Sequence, residues 1–325
     1  MVAHMRILFI GSGAFGQPTL RMIREQRHEI VAVVSQPDRP AGRGRQSQPT
    51  PIRAFADRTG IPVLTPPKIN EPQVIAEIQA LKADLTVVVA FGQKIGAALL
   101  TAFPVGIVNL HGSLLPRLRG AAPVQWSILN GDAEVGVTVF RLVEKMDAGP
   151  ILSQRRTVPG PDETAEELHD RLAAIGCDAV KGAMDRLARD PADPGDPQDE
   201  SKATPAPKLS KADGILDLAR PAIELQHRVN GLYSWPGAHC RFRSQAGRTE
   251  EVLLARAMAE DAPGEPTPPD QVGVISPRGG MVCGRGELAI LEIQPQGGRK
   301  MDWQSFVNGR HVTPGDRFES LSSPL

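Results

Sequence analysis

Three polar side chains have the types and the spacing to do chemistry at one edge of a sheet. Asn109 and His111 are two residues apart at the end of an apolar run that predicts a strand, and Asp147 closes a later predicted strand. Side chains at i and i+2 leave a strand on the same face, so the first two can address one small volume. An amide or an imidazole can donate hydrogen bonds, and an imidazole or a carboxylate can accept a proton. Taken alone, the Asn-X-His pair fits equally well two strand-end residues that only satisfy backbone groups.

The elements that must position these residues alternate between strands and helices. A short apolar run at 6–10 opens the chain, and the run at 84–90 is continuous enough for a strand that is buried on both faces. Several of the predicted strands are followed by a predicted helix; the helix at 93–100, for example, follows the run at 84–90. The alternation predicts an α/β fold with a doubly wound, mostly parallel, Rossmann-like sheet. Ligands of such sheets bind beyond the carboxyl ends of the strands, where Asn109 and His111 are expected.

A glycine turn follows the first strand and has the GxGxxG spacing of dinucleotide-binding folds, with Gly11, Gly13 and Gly16. Such folds place an acid at the end of the second strand, where it binds a ribose hydroxyl. The second predicted strand ends at Ser35 instead, and Asp38 lies beyond a proline. We therefore expect a tight turn that lets a helix and a strand pack closely, and an NAD-binding oxidoreductase is the weaker alternative.

A long polar loop at 36–50 carries three arginines, Arg39, Arg43 and Arg45. Loops of this length without secondary structure are usually functional or disordered. The local positive charge fits two interpretations, a solvated linker or a mobile arm that contacts phosphate groups.

The character of the chain changes after a segment rich in proline and acids. Residues 189–207 contain five prolines, several acids and almost no apolar side chains, which indicates a linker. Beyond it, short β-like runs with turn residues between them predict a small barrel. The sequence thus predicts a catalytic domain at 1–188, a linker at 189–207 and a β-barrel domain at 208–325.

Composition narrows the classes of function. The formal net charge is zero, so the overall charge does not indicate nucleic-acid binding. The chain has one Tyr and three Trp, so a surface that stacks many single-stranded bases is not expected. The three cysteines are far apart and form no CxxC motif, so we expect no zinc site. No stretch has the length of a membrane span, and the amino end lacks the apolar core of a signal peptide. These features favour a cytoplasmic protein.

One longer string gives the Asn-X-His pair its significance. Residues 109–117 read Asn-Leu-His-Gly-Ser-Leu-Leu-Pro-Arg and, with Asp147, resemble the signature of the 10-formyltetrahydrofolate-dependent formyltransferases. The resemblance covers the whole chain and narrows to the methionyl-tRNA formyltransferase family. Its other parts are the glycine turn, the arginine loop at 36–45, the strings at 230–238 and 306–309, and the residues from Pro314 to Arg317.

The resemblance implies a transferase that moves the formyl group of its co-substrate, 10-formyltetrahydrofolate, to the α-amino group of methionine on initiator methionyl-tRNA. It also implies an OB-like barrel that binds tRNA, a monomer, and no metal. The catalytic residues would be Asn109, His111 and Asp147. The folate site would be lined by Ser113, Leu114, Leu115 and Pro116. The tRNA-binding loop would include Arg39, Gly42, Arg43 and Arg45.

Two residues depart from the family pattern, and several other functions fit part of the sequence. Leu118 stands where many relatives have an aromatic residue, which could alter the fit of the loop around substrate, and Leu218 stands where a Trp is common. A sister enzyme that formylates glycinamide ribonucleotide or a nucleotide amino-sugar would share the catalytic residues without needing the arginine loop. A formyltetrahydrofolate hydrolase module and a non-catalytic tRNA-binding protein are the remaining alternatives.

Overall fold

The computed structural model describes residues 4–26, 28–41, 46–260 and 266–322. The chain forms two compact units, drawn from residues 1–123, 134–157 and 169–206, and from residues 124–133, 158–168 and 207–325. The second unit therefore also includes two short segments, 124–133 and 158–168, that precede its main part in the sequence. The domain boundaries expected at 188/189 and 207/208 stay predictions.

The first unit contains eleven of the strands found in the described residues. These strands are β1 (Arg6–Gly11), β2 (Glu29–Val34), β3 (Arg39–Ala41), β4 (Gln46–Gln48), β5 (Val63–Leu64), β6 (Leu85–Val89), β7 (Gly106–His111), β8 (Arg119–Gly120), β9 (Val135–Arg141), β10 (Ile151–Thr157) and β11 (Pro205–Ala206). The α-helices of both units are α1 (Gln17–Glu25), α2 (Pro51–Thr59), α3 (Pro72–Ala80), α4 (Ala97–Leu100), α5 (Pro123–Leu129), α6 (Ala165–Arg189), α7 (Ala222–Leu232) and α8 (Trp303–Arg310).

Seven strands of the first unit form one sheet in the order β10-β9-β7-β6-β1-β2-β5. The strands from β7 to β5 are parallel, whereas β9 is antiparallel to β7 and β10 is antiparallel to β9. The chain moves outward from β1 to β5 and then returns to β6 on the other side of β1. Every residue of β6 is buried, as a central parallel strand requires. The predicted doubly wound sheet is confirmed, and its strand order reverses between β1 and β6.

Side chains explain where two helices begin. In α2, Thr50 accepts a hydrogen bond from the backbone N–H of Arg53 and so caps the first turn. The helix expected at 93–100 is shorter, because α4 begins only at Ala97. The Gln93 amide is bonded to the backbone of Pro67 and Ile69, which holds the preceding residues in a loop.

The glycine turn after β1 serves packing. The backbone N–H groups of Ser12 and Gly13 both donate to the carbonyl of Ala90, at 3.2 Å each. A Cβ at Gly11 would lie 2.7 Å from the carbonyl oxygen of Val89, so β1 and β6 approach too closely there for a side chain. N–H groups that already donate hydrogen bonds to a carbonyl are not available to bind a pyrophosphate. This geometry supports the expectation of a tight turn over an NAD site.

Residues 190–206, called the strap below, follow α6 and are attached to several parts of the first unit. Arg186 in α6 forms ion pairs with Asp193 at 2.5 Å and with Asp196 at 2.9 Å. Asp196 also exchanges backbone hydrogen bonds with Ile151, and β11 pairs with β8. A segment that composition alone describes as a linker is therefore fixed along the first unit by directional contacts.

The second unit is built on an antiparallel, nearly closed sheet. Its strands are β12 (Ala238–Arg243), β13 (Thr249–Glu260), β14 (Met281–Val282), β15 (Glu287–Pro295), β16 (Met301–Asp302) and β17 (Arg317–Glu319). The strand order is β14-β15-β13-β12-β17, and β16 pairs with β15. The predicted OB-like barrel is confirmed.

Aromatic rings fill the centre of this barrel. The Phe242 ring lies 5.4 Å from the ring of Phe306 and 5.5 Å from that of Phe318, centroid to centroid. Leu218 belongs to the same core and is buried, so the departure from the family pattern at this position keeps an apolar side chain inside. Burial also raises the pKa of the Cys283 thiol to about 12, so this thiol stays protonated at neutral pH.

None of the helices in the described ranges combines the length and the apolar composition that a membrane crossing requires.

Candidate active site

His111 ends β7, and both of its ring nitrogens face other residues of the first unit. Nε2 lies 2.8 Å from the carbonyl oxygen of Leu118, and Nδ1 lies 3.8 Å from Oδ2 of Asp147. A carbonyl oxygen only accepts hydrogen bonds, so the hydrogen of a neutral imidazole lies on Nε2. Nδ1 is then unprotonated and faces a carboxylate. The ring can take up a proton at Nδ1, and the resulting cation would lie beside a negative charge.

Asp147 lies in the loop between β9 and β10, and its backbone is left-handed with φ +50°. Its Oδ2 accepts a hydrogen bond from the backbone N–H of Gly120 at 2.8 Å. A Cβ at Gly120, where φ is +131°, would lie 2.5 Å from the carbonyl oxygen of Ala206, so this position requires glycine. The Asp147 side chain is 15% exposed and that of His111 8%. The pair is therefore largely shielded from water, which strengthens its electrostatic interaction.

Asn109 lies two residues before His111 in β7 and is half-buried. It is in register with Val88 of β6 and with Phe140 of β9, so it belongs to the continuous part of the sheet. The strand geometry directs the two side chains to the same face. A carboxamide offers two N–H donors. This face of β7 therefore carries a hydrogen-bond donor and a group that can accept a proton.

The loop after β7 is closed by hydrogen bonds to side chains. The Ser113 hydroxyl donates to the carbonyl of Arg117 at 2.6 Å. The Thr138 hydroxyl donates to the carbonyl of Ser113 at 2.7 Å and accepts from the N–H of Leu115 at 3.0 Å. Of the four residues expected to line the folate site, Ser113 and Leu115 are buried. The other two, Leu114 and Pro116, are half-buried. Their role in folate binding stays a prediction.

The arginine loop is described only in part. Arg39 begins β3, which pairs with β4 in antiparallel fashion. Gly42, Arg43 and Arg45 lie outside the described residues. The expected contact of this loop with tRNA stays a prediction.

The described ranges contain no cluster of three or more His, Cys, Asp and Glu side chains that could hold a metal ion. At the site itself, the described side chains that could ligate a metal are one imidazole and one carboxylate, those of His111 and Asp147. The expectation of catalysis without a metal stays a prediction.

Family models match both parts of the sequence. Residues 5–183 match the formyl transferase family, and residues 208–311 match the formyl transferase C-terminal domain. The chain belongs to the formyl transferase family. It is therefore a formyl-transferring enzyme, as the signature around His111 indicates.

Curated relatives match this formyl transferase along nearly its whole length. The methionyl-tRNA formyltransferase of Citrifermentans bemidjiense is 40% identical over 311 residues, which cover 96% of this chain and 95% of the relative. The methionyl-tRNA formyltransferase of Trichlorobacter lovleyi is 41% identical over 312 residues, with coverage of 95% and 96%. The resemblance inferred from the motifs is confirmed.

A solved structure shares the fold over most of the chain. WlaRD, a sugar 3N-formyl transferase crystallised in the presence of dTDP and 5-N-formyl-THF, superposes with a TM-score of 0.63 at 15% identity. The match covers 92% of this formyl transferase and 98% of WlaRD. At this level of identity the likeness concerns the fold alone.

The departure at Leu118 leaves the contact with His111 intact. The Leu118 side chain is buried, and its backbone is left-handed with φ +59°. The contact with the imidazole comes from its carbonyl oxygen, which every residue has. Its N–H donates to the hydroxyl of Thr204 in the strap at 2.9 Å.

Sequence reasoning missed the groups that hold the His111–Asp147 pair. These groups are the carbonyl of Leu118, the N–H of Gly120, and the side chains of Gln198 and Thr204 in the strap. Backbone groups have no residue type to recognise, and the strap residues are 49 to 86 positions from the residues that they contact. No motif or spacing could have indicated them.

Proposed function

We propose that this enzyme transfers the formyl group of 10-formyltetrahydrofolate to the α-amino group of methionine on initiator methionyl-tRNA, giving N-formylmethionyl-tRNA for translation initiation. The name of the curated relatives supports this acceptor, because they match at about 40% identity over almost the full length. WlaRD was crystallised in the presence of a formylated folate, which supports a folate donor. The observation that carries the chemistry is the His111–Asp147 pair at the end of β7, with Asn109 on the same face of the strand.

The reaction forms a bond between the methionine nitrogen and the formyl carbon and breaks the bond between that carbon and N10 of the folate. Negative charge grows on the formyl oxygen during the attack. We assign the Asn109 amide as the donor to this oxygen, because Nε2 of His111 is engaged by the carbonyl of Leu118. One such donor is typically worth about 3–4 kcal/mol of transition-state stabilisation.

The attacking nitrogen must also lose a proton. We assign Nδ1 of His111 as the acceptor, because it is the unprotonated nitrogen of the ring, and Asp147 stabilises the imidazolium from 3.8 Å. The same proton is then available to N10 of the departing tetrahydrofolate, so the side chains end the reaction as they began it. General acid–base help of this kind contributes about 10²–10⁴-fold.

Substrate binding is divided between loops in this proposal. Residues 113–116 line the folate site, with the half-buried Leu114 and Pro116 as its apolar surface. Arg39, Gly42, Arg43 and Arg45 belong to the tRNA-binding loop, whose arginines contact tRNA phosphates, and the barrel holds the outer part of the RNA. The enzyme works in the cytoplasm as a monomer and without a metal.

A parallel transfer assay tests the proposal. Labelled 10-formyltetrahydrofolate is offered with methionyl initiator tRNA and, separately, with methionyl elongator tRNA. We expect label on the initiator alone, since elongator methionine must stay unformylated for translation. Equal labelling of both would remove the discrimination assigned to the arginine loop and the barrel. Transfer to a nucleotide amino-sugar or to glycinamide ribonucleotide, with neither tRNA labelled, would identify a sister formyltransferase.

A further inference from the structure

The side chain of Gln198 in the strap binds the backbone of the loop that carries Asp147. Its Nε2 donates to the carbonyl oxygen of Asp147 at 2.8 Å and to that of Gly149 at 2.7 Å. Both hydrogens of the amide are thus directed at carbonyl oxygens on either side of Ala148. One half-buried side chain fixes the backbone at and just after the carboxylate residue.

Arg119 sets the orientation of this amide. Oε1 of Gln198 accepts hydrogen bonds from Nε of Arg119 at 3.1 Å and from Nη2 at 2.7 Å. A guanidinium only donates, so the oxygen end of the amide must face Arg119 and the NH₂ end must face the two carbonyls. The Arg119 side chain is 11% exposed, so water has little access to these hydrogen bonds.

Asp147 needs an external restraint for its conformation. A left-handed backbone is less favourable than a right-handed one for a residue with a Cβ, and it persists when the surroundings determine it. The loop from Leu142 to Pro150 contains no regular secondary structure that could supply this restraint. The hydrogen bonds of Gln198 fix the carbonyl of Asp147, and its carboxylate then reaches both the Gly120 N–H and the neighbourhood of His111 Nδ1.

We propose that Gln198 is a positioning residue for catalysis, which acts by holding Asp147 beside His111. This inference rests on the proposed role of Asp147 in the reaction. It assigns a kinetic role to a strap residue that is 51 positions away from Asp147 in the sequence.

A second attachment of the strap lies close by and provides a matched control. Glu200 binds Arg119 at 2.8 Å and Lys145 at 2.6 Å, and these hydrogen bonds lower the pKa of Glu200 to about 2. Its side chain and that of Lys145 are 54% and 68% exposed. Exposed ion pairs contribute little, and the Glu200 carboxylate contacts the side chains of Arg119 and Lys145 rather than the backbone of Asp147.

The test exchanges an amide and a carboxylate at the two positions. Gln198→Glu keeps the size of the side chain and its acceptor for Arg119, but it replaces the donor to the two carbonyls with a negative oxygen. We expect kcat to fall by about 10- to 100-fold, with KM for tRNA and for folate within about twofold, because the substitution displaces a catalytic group and leaves the binding loops in place. Glu200→Gln should change kcat by less than about threefold.

Two further variants separate the outcomes. Asp147→Ala should lower the single-turnover rate strongly, and Gln198→Glu added to it should cause no more than about a twofold further loss, because Gln198 acts through Asp147. Normal activity of Asp147→Ala would overturn the proposed role of Asp147 and this inference with it. An impaired Asp147→Ala variant beside a fully active Gln198→Glu variant would overturn the inference alone. Equal losses for Gln198→Glu and Glu200→Gln, or additive losses in the double variant, would show a general structural role of the strap.

Discussion

The proposed catalytic edge of the first unit and the core of the barrel are held by different kinds of contact. Around His111 and Asp147 the contacts are single hydrogen bonds from defined groups, such as the Leu118 carbonyl and the Gly120 N–H. In the barrel, Phe242 is fully buried among other rings and needs no directional partner. Hydrogen bonds add modestly to stability but fix atoms in place, whereas apolar burial adds much and tolerates small shifts. We therefore expect substitutions at the edge to change rates and substitutions in the barrel core to change stability.

The largest effect that would test this contrast is the loss of the imidazole. His111→Ala should lower kcat by at least about 10²-fold, because it removes the proposed proton acceptor, while the midpoint of thermal unfolding changes by only a few degrees. Transfer rates and a thermal melt measure both quantities. His169→Ala in α6 is the matched control, since this ring is partly exposed, packs on Phe15 and has Asp170 rather than Asp147 as its carboxylate partner. Substantial residual turnover would remove His111 from the mechanism.

In the barrel the same comparison is reversed. Phe242→Ala should lower the free energy of unfolding by about 3–5 kcal/mol, because it leaves a cavity between Phe306 and Phe318. Chemical denaturation measures the loss, and Phe242→Leu should show a smaller one. At a temperature where the variant stays folded, the single-turnover rate at saturating tRNA should be within about twofold of the unsubstituted enzyme. A rate loss as large as that of His111→Ala would end the distinction between the two regions.

A small effect at the edge would sharpen the contrast. Thr204→Val keeps the shape of the side chain but removes the hydroxyl that accepts from the Leu118 N–H at 2.9 Å. Because Thr204 is exposed, water can replace part of the lost bond, and we expect kcat to fall only about two- to fivefold. Thr204→Ser, which keeps the hydroxyl, should behave like the unsubstituted enzyme. A change in the unfolding free energy without any change in kcat would place this hydroxyl with the purely structural contacts.

The sequence predicted those parts of the fold that local patterns determine. The apolar run at 84–90 indicated the buried strand β6, and the short β-like runs after residue 208 indicated the barrel. Asn109 and His111 were recognisable because a strand places residues i and i+2 on one face. The strand that Asp147 was expected to close ends at Arg141, and Asp147 lies in the loop after it, so this residue was recognised through the family resemblance.

What could not be predicted depends on contacts between distant positions or on backbone groups. Gln198 lies in a segment of prolines and acids whose composition indicates a linker. Its amide nevertheless donates hydrogen bonds to the backbone carbonyls of Asp147 and Gly149. The helix expected at 93–100 begins only at Ala97, because the Gln93 side chain is hydrogen-bonded to the backbone of Pro67 and Ile69. A helical pattern in the sequence does not show such hydrogen bonds. Long-range polar contacts of this kind become visible only when the chain is folded.

The carbonyl of Leu118 has a consequence for how this enzyme can diverge. The oxygen that places the hydrogen on Nε2 of His111 belongs to the main chain, so this contact does not depend on which side chain stands at residue 118, as long as the left-handed turn persists. One of the atoms that sets the protonation pattern of the His111 ring is therefore specified by the path of the backbone rather than by residue identity.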